Sequence, residues 1–504
     1  MISVASFRKG LKSLSLVGFT VVTVLSVAIA AVPGFPFTED FSDDSLKDAA
    51  TTAEWDSTAP DELRMGFASD LTAMTLNRSV LGGASEISRS SRDVVLGDLD
   101  GDGDLDAVVG DEGPLGQFGA SGGPNLIYFN SAGVFNTAPV ALDGSGADNK
   151  RTLGMAIGDI NNDGHLDLTA CNYQENGAYY LNDGFGNFTN ATEFTNSARR
   201  TWRCELLDVD SDGDLDYVEA NWNGPNSLYK NLLIESGDGT LSFAPERRIT
   251  ADQFETRSIA FGDIDNDGDT DIVAGDQNGP NHIYRWVNGD FVARDIVHNN
   301  SNITFSVALA DLDGDGYVDL VEGNSGAPTQ IFLNQGAGNP GFFTNPAILA
   351  DSSPLHVTVS LILRDIDRDG DIDIIEGNNG AWDDDNDGSN CLNPGGLTPC
   401  VGQPLRLYLN NGNGTFAAGL NFQPPEIQKI YGMAAGDIDQ DGRLDFVTAH
   451  SINNEGGPAA PSFSAVYMNA GTPGAGNIRQ LDSVAVSAAD VDGASAGVPV
   501  ARLP

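Results

Sequence analysis

Residues 97–106 read GDLDGDGDLD, with carboxylates at Asp98, Asp100, Asp102, Asp104 and Asp106. Like charges this close repel, and neither helix nor strand favours such a composition, so a cation belongs among them. Counting from Asp98, acidic side chains fall at positions 1, 3, 5 and 9 and a glycine at position 6. A tight turn with that spacing wraps oxygen ligands around a hard cation of calcium size, with a backbone carbonyl contributed at position 7. The frame recurs six more times. It comprises Asp159, Asn161, Asp163 and Asp167; Asp208, Asp210, Asp212 and Asp216; Asp263, Asp265, Asp267 and Asp271. It continues in Asp311, Asp313, Asp315 and Asp319; Asp365, Asp367, Asp369 and Asp373; and Asp437, Asp439, Asp441 and Asp445. About one Ca2+ per repeat is therefore expected, with Asn161 making the second loop one charge weaker.

The loops start 48 to 72 residues apart, a period that signals repeated supersecondary units. A short apolar stretch precedes each loop, such as SIAFG before Asp263, and another follows, such as DIVAG. Next come a Gly/Asn-rich turn and a third stretch bearing an aromatic: NLIYFN, AYYLN, SLYKN, HIYRW, QIFLN, RLYLN and AVYMN. A weaker fourth segment closes each unit. Four short strands per unit and seven units predict an all-β, seven-bladed β-propeller of four-stranded antiparallel blades, with the calcium loops between strands one and two. An EF-hand also begins D-x-D-x-D-G but needs Glu at position 12. Glu219, Glu322 and Glu376 stand there, whereas Val109, Ala170, Ala274 and Thr448 do so elsewhere, and the flanks are strand-like rather than helical.

The 504-residue chain carries 72 acidic and 26 basic residues, a formal charge of −46. Seven divalent ions would bring it only to about −32, so nucleic acid and anionic membranes are excluded as favourable partners. Sixty glycines and 23 prolines fit a turn-rich β protein. At the N-terminus Arg8, Lys9 and Lys12 precede an apolar run from Leu14 to Val27 and the small residues Ala28-Ile29-Ala30. Residues 1–30 thus read as a secretory signal peptide, with an uncleaved anchor as the alternative and no membrane insertion once it is cleaved. A secreted or cell-surface location follows, where calcium is abundant enough to fill weak sites. Cys171, Cys204, Cys391 and Cys400 form an even set, so two disulfides are expected, with Cys391 and Cys400 closing one loop.

The unit of apolar strand, D-x-D-x-D-G-x-x-D, apolar strand, Gly/Asn turn and aromatic strand resembles the FG-GAP/VCBS repeat, found also in the β-propeller of integrin α chains. The resemblance covers about Arg89 to Asn469 and implies a calcium-stabilised propeller on an exported or surface protein, without implying one ligand or any catalysis. Residues 31–73 have no matching period and read as an extension, a possible small β appendage; residues 74–477 read as the propeller. Within it Met74 to Leu81, MTLNRSVL, is expected to supply the outer strand of the last blade. Residues 478–504 read as a tail that starts like an eighth unit at Asp490 and Asp492 and lacks the remaining ligands.

From the first Asp of a loop to the aromatic of strand three, units two to five use one spacing, while units one, six and seven are longer. The extra residues lie between strands two and three, around DEGPLGQFGASGGPN, NNGAWDDDNDGSNCLNPGGLTPCVGQP and HSINNEGGPAAPSFS. In a closed ring these units are neighbours, so their long loops would form one sector opposite the calcium loops, where function concentrates. They hold Phe118, Trp382 and Phe463, and Asp383, Asp385, Asp387 and Gly388 copy a further ion loop with Cys391 at position 9. Arg92, Trp202, Arg257, Phe305 and Tyr431 each stand six residues before a loop's first Asp, at the mouth of the central channel, and Tyr173 and Trp222 join them on that face. Aromatics with planar amides suit sugars. His165, His282, His298, His356 and His450 are scattered and no hydrolase motif is present. The expected function is an extracellular binding or adhesion module for a polysaccharide, a glycoconjugate or a surface protein, in its sharper form a calcium-dependent carbohydrate-binding lectin. A polysaccharide-cleaving lyase or hydrolase on the same scaffold is the alternative.

Overall fold

The computed structural model of the protein describes residues 76–81, 90–113, 122–146, 148–195, 199–237, 239–249, 254–277, 279–297, 302–349, 357–379, 405–421, 429–451 and 464–469. These lie in one compact unit, Asp70–Pro504. The architecture is all-β: among the described residues the helices are a single turn at Leu233–Ser236 and a 3₁₀ turn at Gly336–Gly338. No described helix is long and apolar enough to cross a membrane.

The second repeat shows why the sequence folds this way. Thr152–Gly158 and Asp167–Glu175 pair antiparallel from Gly158↔Asp167 to Thr152↔Asn172, and Ala178–Tyr180 adds to the far edge. Thr152–Gly158 is buried along its whole length, because sheets cover both of its faces; this explains near-continuous apolar runs in place of alternation. The outer Thr192–Glu193 is exposed and only two residues long, as a safe edge strand should be.

Ser91–Gly97, Asp106–Asp111, Leu126–Tyr128 and Val140–Ala141 form one four-stranded sheet. Ile303–Ala310, Asp319–Ser325, Gln330–Phe332 and Ala347–Ile348 form another, and Thr358–Arg364, Asp373–Asn378, Arg406–Tyr408 and Leu420–Asn421 a third. The second, third and fourth repeats merge into one twelve-stranded sheet through the pairings Arg200↔Tyr173 and Trp222↔Glu255. A disulfide between Cys171 and Cys204 reinforces the first of these junctions, with Cα atoms 5.9 Å apart. Cys391 and Cys400 lie outside the described residues.

The last sheet joins the two ends of the repeat region. Lys429–Gly436, Asp445–Ser451 and Ala465–Asn469 are completed by Leu76–Val80, which runs antiparallel from Leu76↔Asn469 to Val80↔Ala465. The first strand of each repeat packs on the first strand of the next, and Lys429–Gly436 packs on Ser91–Gly97. A Cβ on Gly432 would lie 2.8 Å from Asp93 Cα, so only glycine allows that closure. Apolar clusters fill each junction; one joins Leu81, Val94, Leu96 and Tyr128 to Ala434, Ile438, Val447 and Val466.

Candidate functional site

The seven acidic loops share one backbone design. Position 4 has φ between 56° and 78° and the position-6 glycine between 82° and 100°, so the chain turns left-handed twice. The first carboxylate accepts the position-6 N–H at 2.8 to 3.1 Å in every loop. The position-5 carboxylate accepts the position-7 N–H at 2.9 to 3.1 Å. Oxygens of Asp98, Asp100 and Asp106 converge within 4.8 Å, as do those of Asp263, Asp265 and Asp267 and of Asp311, Asp313 and Asp315. Ligands of one calcium ion are at most about 5 Å apart, so the clusters have the right size. Asp210 Oδ1, Asp265 Oδ1, Asp271 Oδ2 and Asp437 Oδ1 are buried with no hydrogen-bond donor among the described residues, which a coordinated cation would remedy. The residues therefore fit a hard divalent ion.

The position-9 aspartates are the buried members. One oxygen of Asp106 accepts the Leu99 N–H at 3.0 Å and the other the Asn130 N–H at 2.8 Å, tying the loop to the end of the third strand. Asn182, Asn231, Trp286, Asn334, Asn410 and Asn469 take Asn130's place in the other repeats. Burial raises the Asp106 carboxyl to about 7 against these two N–H bonds, and Asp100 and Asp102 push the same way. Asp216 is raised to about 8 and Asp445 to about 7, again chiefly by burial.

The asparagine side chains do a second job that the sequence does not announce. Asn182 Nδ2 donates to the position-2 carbonyl of the preceding loop, Leu99 O, at 2.8 Å. Asn231 reaches Ile160, Asn334 reaches Ile264, Asn410 reaches Leu312, and Asn130 reaches Ile438, all at 2.8 to 2.9 Å. Five of the seven acidic loops are thus keyed to a neighbouring repeat. The fourth repeat has Trp286 here, which keeps the backbone bond and packs its indole on Phe291 at 4.7 Å.

The loops are not equivalent. Lys230 Nζ sits on Asp210, Asp212 and Glu235, placing an ammonium on ligand positions 3 and 5 of the third loop. Arg285 holds Asp265 in the fourth loop and Arg443 holds Asp441 in the seventh. The position-12 glutamates are engaged elsewhere: Glu219 is buried against the Tyr217 hydroxyl, Glu322 accepts from Asn281, and Glu376 from Tyr408. An EF-hand is ruled out by these side chains and by the flanking strands.

At the opposite end of the first strands, the residues six before each loop share an unanticipated feature. The register skips Arg92, Leu153, Trp202, Arg257, Phe305, Val359 and Tyr431, so each sits at a β-bulge. A bulge re-aims its side chain out of the ladder. The Arg92 guanidinium lies 3.9 Å from the Tyr431 ring, and Arg257 lies 3.8 Å from Trp202 and 4.7 Å from Phe305. Trp222 and Tyr173 stand beside them under Arg200, at 4.6 and 5.4 Å. Glu112 is shared by Arg92 and Arg151, and Arg257 Nε donates to Gln277 at 2.6 Å. Burial and the nearby Arg92 charge pull Arg257 down to about 9.

Among the histidines, His165 is exposed on the second loop, while His282, 2.7 Å from Asp276, and His450 are buried in the sheets. Phe118, Trp382, Phe463, His298, His356, the 383–391 loop, the long insertions, residues 1–73 and residues 478–504 lie outside the described residues.

The FG-GAP-like repeat family matches residues 98–170, 159–219, 208–274, 263–322, 311–376 and 383–448. Mouse cartilage acidic protein 1 is 29% identical over 170 residues, which cover 31% of this chain and 25% of the mouse protein. Similar solved structures include an Agrocybe aegerita lectin recognising non-reducing terminal N-acetylglucosamine, at 18% identity and TM-score 0.43, covering 66% of this chain and 80% of that one. BBS1N in complex with ARL6DN is 10% identical with TM-score 0.48, covering 79% and 96%. The matched repeats span most of the sequence from Asp98 to Thr448, and the chain belongs to the FG-GAP-like repeat family.

Proposed function

We propose that this chain is an exported, seven-bladed, calcium-loaded β-propeller that serves as an extracellular binding module for a polysaccharide or glycoconjugate. The observation that carries the reading is the shared backbone design of the loops in all seven repeats, with position-9 carboxylates buried and bonded to the end of the third strand, whose asparagine in five repeats also reaches the adjoining repeat. Asp98, Asp100, Asp102 and Asp106 and their counterparts ligate one ion per loop, and the ion offsets their mutual repulsion. Rigid loops on one end leave the other end free to bind. The aromatic and guanidinium side chains on the bulges supply the surface a sugar needs, while His282 and His450 are buried in the sheets and His165 stands on an acidic loop.

Incubating the calcium-loaded chain with acidic and neutral polysaccharides tests the class. Retention without new reducing or unsaturated ends is expected; product formation would make the chain an enzyme instead.

A further inference from the structure

The bulge ring has a chemistry of its own within a chain of charge −46. Four guanidiniums meet there: Arg92, Arg151, Arg200 and Arg257. Their nearby carboxylates are Glu112, which two of them share, Glu175, whose side chain accepts the Arg151 N–H at 3.1 Å, and Glu255, paired in the ladder with Trp222. Arg200 has no hydrogen bond or ion pair among the described residues; its guanidinium only lies over Tyr173 and Trp222. The indole N–H groups of Trp202 and Trp222 also lack an acceptor among the described residues. The ion loops do not cancel this charge. Six residues of extended strand put them about 20 Å away, more than twice the ~8 Å screening length of physiological salt.

We propose that the bulge ring binds the acid groups of an acidic polysaccharide, with Arg200 as the principal recognition residue. The assignment rests on the binding-module reading above and narrows its ligand. A planar guanidinium fork accepts a carboxylate or sulfate in two parallel hydrogen bonds, and the aromatic walls offer faces to the C–H side of a sugar ring. Arg92 and Arg151 side chains are 15% and 16% exposed and Arg257 only 6%, so they form a mostly buried floor beneath Arg200. An acidic peptide would meet the same charges but gains less from flat aromatic walls.

The test uses the full chain in millimolar calcium. Retention is measured on hyaluronan against carboxyl-reduced hyaluronan and on dextran sulfate against dextran; poly-aspartate serves as the peptide probe. At least one acidic polymer is expected to bind about tenfold more tightly than its neutral partner. Arg200→Gln should remove most of that preference while shifting the calcium-loaded melt only slightly, because among the described residues the guanidinium touches only the Tyr173 and Trp222 rings. Arg200→Lys, which keeps the charge without the fork, should lower it at least threefold and is read if the Gln variant does not fold. Equal retention of acidic and neutral polymers overturns the assignment and leaves the binding-module reading standing. Poly-aspartate retained while every polysaccharide passes overturns the saccharide class. Passage of all the polymers overturns both readings, and a preference that survives both substitutions overturns the location.

Discussion

The side-chain amide of Asn130 donates to the backbone carbonyl of Ile438 at 2.9 Å, across 308 residues of chain. It is the same bond that Asn182 makes to Leu99 inside the repeat array, so the junction of first and last repeats is built like an internal one. Removing a buried donor leaves its acceptor unsatisfied and costs roughly 1–3 kcal/mol. Asn130→Ala and Asn182→Ala should therefore destabilise the chain equally in denaturant melts. An array with open ends would make Asn130→Ala clearly the milder of the two, since it would then lose only the bond to Leu105 of its own repeat.

Chelation is the direct test of the loops. Each site held at a hundred times its dissociation constant contributes about 2.7 kcal/mol, so excess chelator should lower the melting temperature sharply. The third loop should respond least, because the Lys230 ammonium already rests on Asp210 and Asp212. Lys230→Met should add one calcium site, or tighten one, in a calorimetric titration, and it should deepen the loss on chelation. An unchanged melt in chelator would refute calcium loading.

Much of this was legible in the sequence, and the reason is physical. Repeated carboxylates cannot be tolerated without a shared purpose, so the loops declare themselves, and the strands are named by their apolar runs. Even the closing strand Leu76–Val80 falls within Met74 to Leu81, the stretch expected to complete the last sheet. Pairing information was not available in this way. The Asn of each aromatic strand is visible, but its partner in another repeat depends on the closed circuit. Lys230 sits one residue beyond Tyr229, and only the register puts it over the loop. The bulges are invisible because an extra residue in a strand looks like any other, although Arg, Trp, Phe and Tyr at one fixed offset were a signal.

Glu219 gives the protein a pH dependence separate from its ions. Burial, opposed mainly by the Tyr217 hydroxyl, raises this carboxyl from its ordinary 4.5 to about 8. The folded state then holds a proton that the unfolded chain releases, so this group's contribution is complete below about 4.5 and is lost as the pH rises to 8. Over that window the slope is at most about 1.4 kcal/mol per pH unit. Glu219→Gln keeps the shape and removes the titration. In calcium-saturated denaturant melts from pH 5.5 to 7.5, its stability should fall less steeply than that of the parent. Parallel slopes would show that Glu219 is ionised in the fold.

The long insertions between the second and third strands of repeats one, six and seven set the last prediction. Repeats one and seven are neighbours through Leu96, Tyr128, Ala434 and Val466, and repeats six and seven through Ile375, Leu407, Met433 and Phe446, so the described strands that flank the three insertions belong to consecutive repeats. Loops placed there would add contact area around the ring without choosing the charge of the ligand, because the guanidiniums belong to repeats one to four. Shortening residues 114–121, 380–404 and 452–463 to the length used in repeats two to five should leave the calcium-dependent melt nearly intact, since every described strand is kept. Retention of every polysaccharide should fall together, with the ratio of acidic to neutral binding preserved. Arg200→Gln should do the reverse, lowering the ratio while neutral retention holds. A trimmed chain that binds as before would make the insertions bystanders and leave the whole site to the bulge ring. If trimming abolished the acid preference, recognition would lie in the insertions and not at Arg200.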